Sequence, residues 1–248
     1  MKAIVLAGGK GSRLYPYSAT LPKPLMPLGE MPILELLLRQ LAFASIDHVI
    51  LAVNHMRQLI EAFFGDGHRF GISIEYSVED QPLGTAGPIG AALDRLGDDF
   101  VLTNGDLLTS LDISRMIAAH HIAGADATIG VFERKMKVEF GLIDVDDNMR
   151  LVGYREKPSQ NHLVSMGFYV LRAEAIRPFV KPNVYLDMPQ LMNEMMRAGC
   201  VLQCHQQDCV WLDIGRPDDF AAAQRLFEQE PQRFLPPVDR GAGCCKPL

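Results

Sequence analysis

The segment LAGGKGSRL, residues 6–14, completes a short apolar run that begins at Lys2. An apolar run that leads into closely spaced glycines is typical of a buried strand followed by a ligand-binding loop. Glycines let the backbone turn sharply and bring its N–H groups close to a ligand, and such N–H groups bind phosphate. Lys10 and Arg13 add positive charge to the same loop. The segment therefore predicts a phosphate-binding loop after the first strand.

Two familiar phosphate-binding motifs do not fit this loop. A P-loop requires the spacing GxxxxGK[ST], which does not occur in the chain. The dinucleotide fingerprint GxGxxG would place its third glycine at Leu14, and no suitable acidic residue follows at the expected distance. This argues against an NAD-dependent dehydrogenase.

Working outward from the loop, apolar runs alternate with amphipathic segments in the first half of the chain. Such alternation indicates βαβ units and a mainly parallel sheet with helices on both faces. The predicted strands are residues 2–7, 48–53, 73–77 and 100–103, and the predicted helices are residues 33–44, 58–64 and 86–96. The fold class predicted is α/β, with a Rossmann-like, mixed but mainly parallel sheet.

The second half follows a different pattern. Residues 127–133, 140–145, 149–155 and 164–171 alternate with turn signals, which indicates a mixed or antiparallel extension, and helices are predicted at 186–197 and 217–228. We expect one domain, residues 1–230, divided into halves at about residue 125, and a tail over residues 231–248 that is frayed from Pro236 onward.

Composition narrows the function classes. The chain has 248 residues, and 24 basic against 30 acidic side chains give a net charge of −6. Without a sustained basic run, neither nucleic acid nor an anionic membrane surface is an expected partner. No uninterrupted apolar run reaches the roughly 18 residues that a membrane span needs. Five cysteines, an odd number, favour free thiols in the cytoplasm over a disulfide framework.

Several charged residues stand where the backbone is stiff or a strand ends. Lys23 lies between Pro22 and Pro24, which fix the direction of its ammonium group. Asp106 follows the strand predicted at 100–103, at the sheet edge where open α/β proteins bind ligands. Asp213 follows another short apolar run and lies two residues before Gly215. Carboxylates are hard oxygen ligands that suit Mg²⁺ bound to phosphates.

The pattern GGxGxRLxPxTxxxPKPxxP, residues 8–27, resembles the signature of the sugar-1-phosphate nucleotidyltransferases, with Ser18-Ala19-Thr20 where that family varies. The resemblance continues to about residue 228. It implies the nucleotide-diphospho-sugar transferase type of fold, with a nucleotide-binding first half and a sugar-binding second half. Many relatives continue into a left-handed β-helix; we expect this protein to have no such domain and to have a single activity.

The resemblance also implies roles for individual residues, carried over by motif. Nucleotide binding is expected from Leu6, Ala7, Gly8, Gly9, Gly11, Ser12, Arg13, Gln81, Gly84 and Thr85. Sugar-phosphate binding is expected from Lys23, Asn104, Gly141, Glu156, Lys157 and Gly167. Arg13, Lys23, Asp106 and Lys157 are the expected catalytic residues, and Asp106 and Asp213 the expected ligands of Mg²⁺.

The implied reaction is Mg²⁺-dependent transfer of a nucleotidyl group from an NTP to a sugar-1-phosphate, with release of pyrophosphate. The stretches EDQPLGTAGPIG and VWLDIGRPDDF resemble mannose-1-phosphate guanylyltransferases, which favours GTP. Thymidylyl and uridylyl transfer to glucose-1-phosphate or a related sugar phosphate remain alternatives, as does a non-catalytic regulatory subunit that senses nucleotide sugars. Ser165 stands where many relatives have asparagine, which keeps heptose-1-phosphate open. A homodimer is also left open.

Overall fold

The computed structural model of the chain describes residues 1–236. The predicted tail at 231–248 therefore lies mostly outside the described residues. Its described part contains a 3₁₀ turn, Pro231–Arg233, followed by the buried side chain of Phe234, which packs near Phe227.

Helices and strands alternate through the first half and give way to longer antiparallel strands in the second. The strands are β1 (Lys2–Leu6), β2 (Pro27–Leu28), β3 (Met31–Pro32), β4 (His48–Val53), β5 (Ser73–Val78), β6 (Asp99–Asn104), β7 (Leu107–Thr109), β8 (Ala127–Lys137), β9 (Leu142–Val145), β10 (Leu151–Arg155), β11 (Ser159–Arg172), β12 (Leu202–Gln206) and β13 (Trp211–Asp213). The α-helices are α1 (Ile33–Phe43), α2 (Arg57–Phe64), α3 (Gly87–Leu96), α4 (Ile113–Ala123), α5 (Ala173–Ile176), α6 (Met188–Arg197) and α7 (Pro217–Gln229).

Seven strands form the central sheet in the order β12-β8-β11-β6-β1-β4-β5. The pairs β1–β4, β1–β6, β4–β5 and β12–β8 are parallel, whereas β11 is antiparallel to both β6 and β8. The predicted α/β class with a mixed, mainly parallel sheet is confirmed.

Helices cover both faces of the sheet because successive residues of each buried strand point to opposite sides. On one face, Val5 packs in a cluster with residues of α1 such as Leu37. On the other, Ile4 belongs to a cluster with Ile89 of α3 and Leu191 of α6. Burial on both sides explains why β1 is apolar throughout its centre.

The chain crosses from one side of β1 to the other between β5 and β6. β4 and β5 lie on one side of β1, and β6 lies on the other. In open α/β sheets, a ligand crevice forms at such a reversal of strand order, beyond the carboxyl ends of the strands. We therefore expect a ligand crevice at the loops that follow β1, β4, β5 and β6. Within residues 1–236, no helix is long and apolar enough to cross a bilayer.

Candidate active site

A cavity of ≈ 350 Å³ opens at the carboxyl ends of these four strands. This volume lies within the range of small-molecule sites, about 300–1,000 Å³. The cavity is lined by Leu6, Gly8, Gly9, Lys10, Asn54, Glu79, Pro82, Leu83, Gly84, Thr85, Asn104 and Asp106. Residues far apart in sequence meet there because parallel strands end at one edge of the sheet.

The glycine-rich loop forms one side of the cavity. Gly8 lies so close to the chain after β4 that a Cβ on it would be 3.2 Å from the backbone nitrogen of Asn54. Gly11 has a left-handed backbone, φ 60°, immediately before a 3₁₀ turn that contains Ser12 and Arg13. The Arg13 guanidinium is exposed near Gly215. Of the ten predicted nucleotide-binding residues, Leu6, Gly8, Gly9, Gly84 and Thr85 line the cavity.

Two carboxylates and one ammonium group meet at the end of β6. The antiparallel pairing of β7 with β13 sets Asp213 opposite Leu107, and thus next to Asp106. Lys23 forms an ion pair with Asp106 Oδ2, and its Nζ lies 3.8 Å from Asp213 Oδ1. Both Lys23 and Asp106 have largely buried side chains, 11% and 23% exposed. The structure thus brings together three residues that the sequence assigned to phosphate and metal binding.

The chemistry of this cluster fits a divalent cation. Asp106 Oδ1 is buried and has no hydrogen-bond partner in the described part of the chain. Burial raises the pKa of Asp106, Lys23 lowers it, and nearby Asp213 raises it. No group of three or more His, Cys, Asp or Glu side chains converges among residues 1–236. Mg²⁺ commonly takes one or two carboxylates and completes its shell with water and substrate phosphates, so the pair suffices.

Asn104, at the end of β6, meets the turn that contains Gly167. Gly167 has φ 72°, and a Cβ on it would collide with the Asn104 amide nitrogen. Ser165 stabilises this turn, since its Oγ accepts the Gly167 N–H at 3.3 Å and lies 2.8 Å from the Tyr169 hydroxyl. The Ser165 hydroxyl is therefore already engaged by the protein. Two of the predicted sugar-binding residues, Asn104 and Gly167, are in contact.

Lys23 lies with Asp106, and the remaining three predicted sugar-binding residues, Gly141, Glu156 and Lys157, lie apart from it, next to the β9–β10 hairpin. A Cβ on Gly141 would lie 2.6 Å from the Tyr154 hydroxyl, which itself donates to Glu156 Oε2 at 3.4 Å. Glu156 and Lys157 are exposed, and Lys157 has a left-handed backbone, φ 42°. Among residues 1–236, no hydrogen bond or ion pair joins Glu156 or Lys157 to Asp106.

Glu79 is a cavity residue that the sequence analysis missed. It directly follows β5, lines the cavity, and accepts the Leu83 N–H on Oε2 at 3.1 Å. Its carbonyl accepts the Asn54 amide at 2.9 Å, and burial raises the pKa of its carboxyl group. Gln81, the residue predicted to face the base, is exposed and does not line this cavity. The rule that ligands bind at carboxyl ends of strands would have indicated Glu79.

The glycines of LGTAGPIG pack against protein rather than leaving open space for a base. A Cβ on Gly84 would be 2.5 Å from the Leu186 carbonyl oxygen, and one on Gly87 would be 2.7 Å from that of Val184. A Cβ on Gly90 would collide with the Lys181 carbonyl. Gly84, Gly87 and Gly90 follow one another at intervals of three residues. Because none of them has a side chain, the backbone of residues 181–186 can lie along the start of α3.

Fold and site define an α/β protein with a glycine-loop cavity beside a carboxylate pair, an arrangement suited to a phosphorylated nucleotide and a divalent cation. The sequence model of the family described as nucleotidyl transferase matches residues 2–230. The chain belongs to that family.

Similar proteins differ in the base and sugar that their names give. A mannose-1-phosphate guanylyltransferase of Mycobacterium tuberculosis is 32% identical over 88% of this chain and 62% of its own length. A UTP–glucose-1-phosphate uridylyltransferase of Synechocystis is 31% identical over 93% of this chain and 64% of its own length. A solved structure from Bacillus anthracis, described as a candidate glucose-1-phosphate thymidylyltransferase with sucrose, has a TM-score of 0.72 at 27% identity and covers 91% of this chain and 94% of its own. The chain thus spans less than two thirds of these two curated relatives.

Proposed function

We propose that this chain transfers a guanylyl group from GTP to a sugar-1-phosphate and releases pyrophosphate. The observation that carries the proposal is the carboxylate pair, Asp106 and Asp213, beside a cavity walled by the glycine-rich loop. A phosphate oxygen of the sugar-1-phosphate attacks the α-phosphorus of GTP. The new phosphorus–oxygen bond forms as the bond to the β-phosphate breaks, and pyrophosphate leaves with that electron pair. The family relationship supports this class of reaction.

The side chains act by binding and by neutralising charge, so no covalent nucleophile is required. The backbone N–H groups at Gly8 and Gly9, together with Lys10, are proposed to hold the triphosphate. Arg13 is proposed to stabilise the leaving pyrophosphate, and Lys23 and Lys157 to orient the sugar phosphate. Asp106 and Asp213 would hold Mg²⁺, which when bound supplies charge neutralisation to the phosphoryl oxygens.

Glu79 supports guanine as the base. The Watson–Crick edge of guanine presents two neighbouring donors, N1–H and the N2 amino group, and a carboxylate can accept both. Uracil and thymine offer one N–H flanked by two carbonyl oxygens, which a carboxylate repels. An acidic side chain in the wall of the cavity therefore favours GTP over UTP and dTTP.

The sugar is proposed to be of the mannose or heptose type. The guanylyltransferase of M. tuberculosis supports mannose-1-phosphate. Heptose-1-phosphate is kept because Ser165 has no side-chain amide to offer a sugar, and its hydroxyl is within hydrogen-bond distance of the Tyr169 hydroxyl. A homodimer and a cytoplasmic location remain predictions.

The test is a panel of GTP, dTTP, UTP, CTP and ATP against several sugar-1-phosphates, with pyrophosphate release as the readout and Mg²⁺ varied. We expect release with GTP and a mannose- or heptose-type substrate, and none in EDTA. Preference for UTP would support the uridylyl alternative, which the Synechocystis relative favours. Nucleotide-sugar binding without turnover on any pair would support the regulatory alternative and contradict the proposal.

A further inference from the structure

A segment from the second half of the chain forms part of the support behind the nucleotide cavity. Residues 181–187 run along the glycines of the turn before α3 and of the first part of α3. The Leu186 N–H donates to the Leu83 carbonyl at 2.9 Å. The Leu186 carbonyl in turn accepts the N–H groups of Ala86 and Gly87, at 2.8 and 2.9 Å. The two stretches of backbone are therefore paired across about one hundred residues of sequence.

Asp187, at the end of this segment, binds Thr85 in the cavity wall. Its Oδ1 accepts both the Thr85 N–H at 3.1 Å and the Thr85 hydroxyl at 3.3 Å. Its Oδ2 accepts the Tyr185 hydroxyl at 2.5 Å. The Thr85 hydroxyl oxygen also accepts the Met188 N–H at 2.8 Å. Both donors of Thr85 are thus used by the protein.

The loop that Asp187 holds contains a glycine in a left-handed conformation. Gly84, next to Thr85, has φ 78°, a conformation that glycine enters and leaves easily. Hydrogen bonds to an ionised carboxylate are stronger than those between neutral groups. The hydrogen bond from Tyr185 holds the pKa of Asp187 below its usual range, so the carboxylate is ionised at neutral pH.

We propose that Asp187 is a positioning residue that fixes Gly84 and Thr85 as the wall of the nucleotide cavity. The proposal rests on the function proposed above and adds that an acidic residue of the second half determines how well the nucleotide binds. Thr85 would then contact the nucleotide by shape alone, because its N–H and its hydroxyl both donate to Asp187.

The variants are Asp187→Ala, Asp187→Asn and Thr85→Val. Asparagine keeps an oxygen that can accept from Thr85, whereas alanine does not. Valine has the shape of threonine without the hydroxyl. Asp126→Ala is the matched control, because the Asp126 carboxylate also accepts a distant backbone N–H, that of Val201 at 2.8 Å, and does not line the cavity.

The measurements are kcat and KM for GTP and for the sugar phosphate, and the Kd of GTP by calorimetry. Loss of a charged hydrogen-bond acceptor in Asp187→Ala should raise the KM and the Kd for GTP about tenfold. The kcat and the KM for the sugar phosphate should change little, and Asp187→Asn should recover most of the affinity. Because the Thr85 hydroxyl donates to Asp187, Asp187→Ala combined with Thr85→Val should raise the Kd for GTP by less than the product of the two separate increases.

Wild-type Kd for GTP in a folded Asp187→Ala would overturn the proposal, as would an equal loss in Asp126→Ala. If Asp187→Ala does not fold, Thr85→Val decides: a wild-type Kd for GTP in that variant contradicts the proposal. The calorimetric Kd does not depend on turnover. A wild type that binds GTP without releasing pyrophosphate would therefore refute the proposed function and leave this test of Asp187 intact.

Discussion

Glu79→Gln should reduce turnover of GTP relative to UTP and dTTP. Oε2 of Glu79 accepts the Leu83 N–H at 3.1 Å, which fixes how a glutamine would sit there. Its amide oxygen must take over that hydrogen bond, so its NH₂ group would face the cavity. A donor would then stand where an acceptor stands now, opposite the donors of guanine.

The size of the effect follows from the hydrogen bonds lost. A bond to a charged group contributes about 1.5–3 kcal/mol, and a tenfold change in selectivity corresponds to about 1.4 kcal/mol. Because Oε2 is already engaged by Leu83, the substitution removes one charged acceptor for guanine, Oε1, and kcat/KM for GTP should fall by about ten- to 150-fold. The NH₂ group can donate to a carbonyl oxygen of uracil or thymine, so those bases should be less affected or gain.

The assay is competition among GTP, UTP and dTTP for one sugar-1-phosphate, with the nucleotide-sugar products measured by mass spectrometry. Gln81→Ala is the matched control, because Gln81 is exposed two residues away. Unchanged product ratios in Glu79→Gln would refute the reasoning. If the product ratios changed in Gln81→Ala instead, Gln81 would be the residue that recognises the base, as the sequence analysis predicted.

Three further predictions concern the charged residues. Asp106→Asn should abolish turnover across a full Mg²⁺ titration, because the amide lacks the charge that holds the ion; a wild-type rate would remove Asp106 from the metal site. Lys157→Ala should raise the KM for the sugar phosphate and Arg13→Ala the KM for GTP, as steady-state kinetics can show; equal effects on both substrates would contradict this division. Lys23→Met should lower the free energy of unfolding in EDTA by about 1–3 kcal/mol, since Asp106 loses its counter-charge, and MgCl₂ should restore part of it. Thermal unfolding measures this, with Lys10→Met as the control, and no Mg²⁺-dependent gain would count against the shared site.

Sequence alone predicted the parallel part of the fold because each buried strand has its own apolar run. β4, for example, occupies the predicted residues, His48–Val53. The antiparallel extension was underestimated. β8 continues to Lys137 and β11 begins at Ser159, in polar stretches that carry little hydrophobic signal. Strands that face solvent are stabilised by pairing with each other, and pairing partners are not readable from one segment.

The role of the LGTAGPIG glycines could not be derived from their own neighbourhood. Locally, Gly84 indicates a turn, which the structure bears out with φ 78°. The reason for Gly87 and Gly90 lies in residues 181–186, whose backbone occupies the space of the missing side chains. Glu79 is the first residue of the stretch EDQPLGTAGPIG, but β5 was predicted to end at residue 77; it ends at Val78, which puts Glu79 directly at its carboxyl end.

The chain has a net negative charge, yet its proposed substrates are phosphates, which are negatively charged too. A net charge of −6 argues against long nucleic acids, which meet many surface charges at once. A single small phosphorylated ligand responds to nearer charges, because physiological salt screens interactions beyond about 8 Å. Lys10 lines the cavity, and Lys23 is paired with Asp106 at its edge. The signs of the charges at this edge of the sheet, rather than their total over the chain, therefore determine which ligands the site accepts.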